Sequence, residues 1–143
     1  MVSVRRAPRV SGLPVDAGVS GYVPGACNIG RAKVERRRRS AVVGGLATAG
    51  IAAGMLALHA PRWIRLAITL PAAGTAVAAL QVRERFCVAY ATRGVQNVAG
   101  PLGAPQPVAD AESRAADRRR AIDMVGRGVL VGAVLGLAFA ALP

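Results

Sequence analysis

Residues 40–60 read SAVVGGLATAGIAAGMLALHA, 21 consecutive positions without a formal charge. About 20 helical residues cross a hydrocarbon core of about 30 Å, so this run has the length of a membrane span. Two further runs repeat the pattern. Residues 63–82 (WIRLAITLPAAGTAVAALQV) are charged only at Arg65, and residues 124–142 (MVGRGVLVGAVLGLAFAAL) only at Arg127. The alternative for any one run is a buried helix of a soluble protein, but soluble cores rarely use runs this long and this poor in charge.

Composition points the same way. Of 143 residues, 53% are hydrophobic and 17 are glycine, yet aromatics make up only 3%. The bulky rings that fill a soluble core are scarce. The excess of Ala, Gly, Val and Leu suits helices packed against each other in lipid. With spans at 41–60, 63–82 and 124–142, the remaining pieces hold 40, 2, 41 and 1 residues. A self-standing domain needs roughly 50. The expected fold is therefore all-α and membrane-integral: a helical hairpin plus a third, C-terminal transmembrane helix. Composition argues against a soluble metabolic enzyme, and against a nucleic-acid-binding globule despite a net charge of +12.

The basic residues set an orientation. Nine Lys/Arg precede the first span, two lie at the first turn with Arg65 at the start of the second span, and eight follow the second span up to Arg127 at the start of the third. That alternation predicts a cytoplasmic N-terminus and an external C-terminus. Trp63 and His59 then fall at the outer interface. Residues 1–26, rich in Pro and Gly, read as a flexible basic cytoplasmic tail. Arg5-Arg6 resembles a twin-arginine pair, but no apolar run follows it before Pro14 and Asp16, which argues against a cleaved signal. Residues 27–98 form the hairpin with flanking juxtamembrane helices, 99–108 a Pro/Gly linker, and 109–143 a charged helix continuing into the third span.

Local signals fill in the cytoplasmic face. Asn28 is a candidate helix N-cap, and Glu35 can pair with Arg31 and Arg39 at helical spacing. Arg36, Arg37, Arg38 and Arg39 meet the membrane. They read as a topology signal and as contacts for anionic lipid headgroups, at about 1 kcal/mol per basic residue. The second span is expected to continue through Phe86, Cys87 and Tyr90 as a short amphipathic segment ending at Gly94. Asp110 is expected to cap the last helix, with pairs Asp110–Arg114, Arg119–Asp123 and Asp123–Arg127.

Cys27 and Cys87 fall on the same cytoplasmic side, where a structural disulfide is disfavoured. They read either as a redox or sulfur-handling thiol pair among arginines, surroundings that favour thiolate, or as two unrelated cysteines. With one histidine, His59, on the opposite face, no metal site and no Ser/His/Asp set is expected. No nucleotide loop and no paired intramembrane carboxylates occur, so no cofactor, no catalysis and no proton relay are expected.

Small residues recur every four positions in the third span: Gly128, Gly132, Gly136 and Ala140. The first span has Gly50 and Gly54. Such a glycine zipper permits close backbone approach in lipid. The third span is expected to pack on the first span or on a neighbouring chain. The competing explanation is an Ala/Gly-rich composition that scatters small residues everywhere.

Asn28-Ile29-Gly30 and Glu35-Arg36 before the first span, with Phe86-Cys87, Tyr90 and Gly94 after the second, resemble the YgaP-like transmembrane domain family. The resemblance covers about half the chain. It implies a two-helix inner-membrane hairpin, found alone or behind a cytoplasmic rhodanese domain. Glu35-Arg36 stand about two residues further from Asn28 than the family pattern, and Val88 stands where the family commonly has Pro. Cys27 and the third span lie outside it. No rhodanese active-site loop is present, so sulfurtransferase activity does not carry over. The expected role is a non-enzymatic membrane protein acting through helix–helix association, as an oligomer or an accessory subunit. Its partners would be membrane lipids and its own copies or another membrane protein. The alternative is a thiol or persulfide module using Cys27 and Cys87.

Overall fold

A computed structural model describes residues 21–98 and 103–143. The tail before residue 21, with Arg5-Arg6, lies outside the described residues. The chain is mostly helical. Its elements run α1 (Arg31–Ala57), α2 (Arg62–Arg65), a 3-10 turn (Leu66–Ile68), α3 (Thr69–Arg83), α4 (Val88–Arg93), β1 (Val95–Gln96), β2 (Gln106–Pro107) and α5 (Ala111–Ala141). Three helical stretches are long and apolar enough to cross a membrane: Arg31–Ala57, Arg62–Arg83 and Ala111–Ala141. At 1.5 Å per residue they extend about 40, 33 and 46 Å. This is compatible with a multi-pass membrane protein.

The second stretch is not one regular helix. Pro71 has no N–H, and its ring crowds the carbonyl four residues earlier. The backbone answers with the 3-10 turn Leu66–Ile68 just ahead of α3.

α3 is the central helix and carries the two main seams, to α5 and to α1. The α3–α5 seam is built from glycine. Gly128, Gly132 and Gly136 are buried. They face Val77, Ala73 and Thr69 in turn. Residues descend by four on α3 as they ascend by four on α5, which is an antiparallel register. The small-residue stripe of the third span is therefore a packing surface. Its partner is the second span, not the first span or a neighbouring chain, because α5 folds back along α3. Ala140 is half-buried near the end of the seam.

The α1–α3 seam is polar at its centre. Gly44 and Gly45 face Thr75, and the Thr48 and Thr75 hydroxyls lie 3.2 Å apart. The Thr48 hydroxyl also donates to the Gly44 carbonyl at 2.8 Å. Gly50 and Gly54 do not join any seam among the described residues: none of these comes within 4 Å of the space a β-carbon would take at either. α1 contains no buried residue. Large apolar side chains stand exposed along all three stretches, among them Val43, Leu46, Leu70, Leu130, Val134 and Leu137. Lipid-facing helices carry this pattern.

A compact core sits at one end of the α3–α5 pair. Phe86, Ala91, Ala121 and Met124 are buried together, with Leu80 and Val88 packed against them. Beside it Glu84 accepts from Arg120 at 2.8 Å and Arg127 at 3.0 Å. Asp123 pairs with Arg127 as expected, but its second partner is Arg120 rather than Arg119.

At the opposite end Arg65 is buried, donating to the Ala60 carbonyl at 2.8 Å and the Leu142 carbonyl at 2.9 Å. His59 turns the chain between α1 and α2 with φ +50°. Trp63 is 74% exposed nearby, as an interfacial indole would be.

Several local expectations change. α3 does not run on into α4: it stops at Arg83, and Arg85, with φ +50°, turns the chain. Gly94 ends α4 in the left-handed conformation, as its residue type allows. Asp110 caps α5, accepting from the Ser113 amide at 2.7 Å. A bond from the Ser113 hydroxyl, and then this amide bond, hold its carboxyl below the usual range. Arg114 does not pair with Asp110. It donates instead to the Val108 and Ala109 carbonyls. The described part of the linker adds a short antiparallel ribbon to the all-α plan, Val95 opposite Pro107 and Gln96 opposite Gln106. Residues 21–26 are not a free tail. Val23 and Cys27 close a turn, and Tyr22 and Gly25 both bond Asp117 of α5.

Candidate functional site

The residues of most chemical interest converge where α1, α3 and α4 meet. Asn28 organises them. It is fully buried and is not the N-cap of α1; that position is Gly30. The Asn28 carbonyl accepts from the Asn97 amide at 2.8 Å, and the Gly30 amide donates to the Asn97 carbonyl at 2.9 Å. Residues 28–30 thus run extended beside residue 97, which places Asn28 two residues ahead of the cap position at Gly30. The Asn28 side chain is directed across to Cys87. Its Oδ1 accepts from the Cys87 amide at 2.6 Å, and its Nδ2 donates to the Cys87 carbonyl at 3.1 Å. An amide side chain supplies both an acceptor and a donor, so it can close a two-bond ring on one backbone residue.

Cys87 therefore has a fixed backbone. Its carbonyl also accepts from the Tyr90 and Ala91 amides, which starts α4. The thiol is fully buried. Arg37 covers it: Nη2 donates to Sγ at 2.8 Å, while Nη1 donates to Gln81 Oε1 at 2.9 Å. Gln81 Oε1 accepts from the Val88 amide as well, at 3.3 Å. The guanidinium is thus held by one group from α3 and one from the turn before α4.

The two cysteines do not form a pair. Both are free. Cys27 is half-buried, and its thiol is directed at the Ile29 carbonyl at 3.7 Å. Cys87 meets Arg37 instead. Among the described residues no cluster of three or more His, Cys, Asp or Glu is placed to hold a metal ion.

The four arginines also separate. Arg37 turns inward, while Arg36, Arg38 and Arg39 are exposed. Arg39 pairs with Glu35 at 3.7 Å. Above Arg37 lies a cavity of about 520 Å³, lined by Ile29, Ala32, Lys33, Arg36, Arg37, Ser40 and Tyr90. Six of these recur at i, i+3, i+4, i+7, i+8 and i+11, one face of α1 and its lead-in. Tyr90 comes from α4. The charge run masked the helical spacing that brings Lys33 and Ser40 into this site, and Gln81 belongs to it through a partner, Arg37, 44 residues away that no local spacing discloses.

No protein-family model, curated protein or solved structure matches the chain.

Proposed function

We propose that this is a three-span inner-membrane protein that acts without catalysis, by lateral association of α1 in the bilayer with copies of itself or with another membrane protein. One observation carries the reading. α3 and α5 consume each other's small-residue faces, whereas α1 is a 27-residue helix with no buried residue and with open space over Gly50 and Gly54. In lipid, a helix surface that admits close backbone approach is where association is favoured. The orientation in this reading puts the Arg36–Arg39 end in the cytoplasm and the turn at His59 and Trp63 outside, from the distribution of Lys and Arg. The hairpin would be a YgaP-like domain. What supports this is that Asn28 and Cys87, from the two halves of the resemblance, bond each other.

The test is affinity purification of the full chain in mild detergent, with and without Gly50→Leu and Gly54→Leu. The paired substitution should abolish self-association or co-purification of a membrane partner while leaving the fold intact. Unchanged association would overturn the reading.

The Arg37–Cys87 contact favours a second reading, a thiol-handling module. In that reading Cys87 acts alone rather than with Cys27, and Arg37 must move aside before the thiol can react.

A further inference from the structure

We infer that the cavity between α1 and α4 is a binding site for a phosphate-bearing anion, held by Lys33, Arg36 and Arg37 with the hydroxyls of Ser40 and Tyr90.

The face of α1 that turns toward α4 is the one a packed helix would fill with apolar side chains. Here, after Ile29 and Ala32, it carries Lys33, Arg36, Arg37 and Ser40. An inward-turned cation such as Arg37 is unfavourable unless something compensates it, whereas Lys33 is half-buried and Arg36 stands exposed at the cavity's edge. Arg37 is compensated by Gln81 and the Cys87 thiol. Among the described residues Lys33 and Arg36 make no ion pair and no carboxylate lines the cavity. Glu35, the nearest acid in sequence, is paired with Arg39. The Ser40 hydroxyl donates to the Arg36 carbonyl at 3.3 Å, leaving its oxygen's remaining capacity toward the cavity mouth. Such a set of cations and hydroxyls recognises a tetrahedral oxyanion through charge-assisted hydrogen bonds.

Size narrows the ligand class. At about 520 Å³ the space lies within the range of small-molecule sites and exceeds what a lone phosphate fills. A phosphate ester with its substituent fits that description. The shared chemistry has two sources, the headgroup of an anionic phospholipid or a free phosphate compound. The lipid source rests on the reading that α1 enters the bilayer beyond Ser40. The free-phosphate source does not.

The experiment uses the full chain, purified in mild detergent from mixed phosphatidylcholine–phosphatidylglycerol vesicles. Detergent removes the charged bilayer surface, so only site-held lipid remains. Native mass spectrometry reads retained phosphatidylglycerol, and titration with inorganic phosphate reads the second source. Lys33→Gln with Arg36→Gln should reduce retention by about tenfold or more. Arg38→Gln with Arg39→Gln removes equal charge from the same helix off the cavity wall, and should change it by no more than about twofold. Tyr90→Phe should lower it without altering thermal stability, which guards against a folding artefact in the double variant. Retained lipid assigns the headgroup. Phosphate binding with the same variant dependence but no retained lipid assigns a free ester, and it would stand even if the membrane reading failed. Equal losses in both double variants, or no binding in either arm, would overturn the site.

Discussion

Gly132 of α5 lies flat against Ala73 of α3. A β-carbon added to Gly132 would stand 2.5 Å from the Ala73 β-carbon and 2.6 Å from its amide nitrogen. The second distance matters more, because backbone cannot rotate away as a side chain can. Gly132→Ala should therefore destabilise by about 1–3 kcal/mol, the usual range for overpacking, and Gly132→Leu should separate α5 from α3 altogether. Leu135 is exposed on another face, and Leu135→Ala should do little. Thermal unfolding in detergent checks this. Equal effects of Gly132→Leu and Leu135→Ala would mean the seam carries no special packing.

That seam also shows what a sequence can and cannot disclose. The three long apolar helices were legible because long uncharged runs are visible one residue at a time. The flat face of α5 was legible because four-residue recurrence needs only its own helix. Its partner was not, since period says which side is smooth and nothing about what rests there. The matching spacing of Thr69, Ala73 and Val77 on α3 was present, but Thr and Val do not announce a seam as glycine does. The role of Asn28 was hidden for a different reason. Its partner is 59 residues away, and a polar residue just before a helix reads locally as a cap.

Asn28 yields the second prediction. Asn28→Ala strands the Cys87 amide and carbonyl without their side-chain partner, in a region with no solvent exposure. The carbonyl keeps its bonds from the Tyr90 and Ala91 amides, so the amide alone is left unsatisfied, and a loss of about 1–3 kcal/mol is expected. Asn28→Asp keeps the acceptor for the Cys87 amide but turns a second acceptor toward the carbonyl, and should not rescue. Wild-type stability of Asn28→Ala would show that the two-bond ring contributes nothing.

Third, the two thiols should differ in reactivity. Cys27 is half-buried, whereas Cys87 is sealed beneath Arg37. A maleimide should label Cys27 first, with Cys87 slower by about tenfold or more, the equivalent of about 1.4 kcal/mol of local opening. Arg37→Ala should bring Cys87 toward the rate of Cys27. Mild oxidation should give no Cys27–Cys87 disulfide within the chain, because each sulfur is committed to a different neighbour. With an impermeant reagent on intact cells, labelling of Cys27 only after permeabilisation would accord with the proposed orientation. Labelling without it would reverse the topology.

The last prediction concerns pH and the segment preceding α1. The Tyr22 hydroxyl donates to Asp117 Oδ2 at 2.9 Å, and the Gly25 amide donates to Oδ1 at 2.7 Å. Burial, and then the hydrogen bond to Asp117 with its charge, push the Tyr22 phenol well above its ordinary value of 10. The folded state thus holds this proton more tightly than the unfolded chain does. By linkage the stabilisation is fully present below pH 10 and declines as pH rises from there through the elevated range. Residues 21–27 should then release from α5 in alkali, since a phenolate cannot donate and would face a carboxylate. Tyrosinate absorbance should show a late-titrating component, and Tyr22→Phe should remove it. Asp117→Asn, which keeps an acceptor but discards the charge, should bring the Tyr22 titration down toward the ordinary value. The rate of Cys27 alkylation, corrected for thiolate fraction with Tyr22→Phe as reference, should rise over the same alkaline range, because the turn from Val23 to Cys27 is anchored through Tyr22 and Gly25. A phenol that titrates at the ordinary value would mean that Asp117 does not hold this segment on α5.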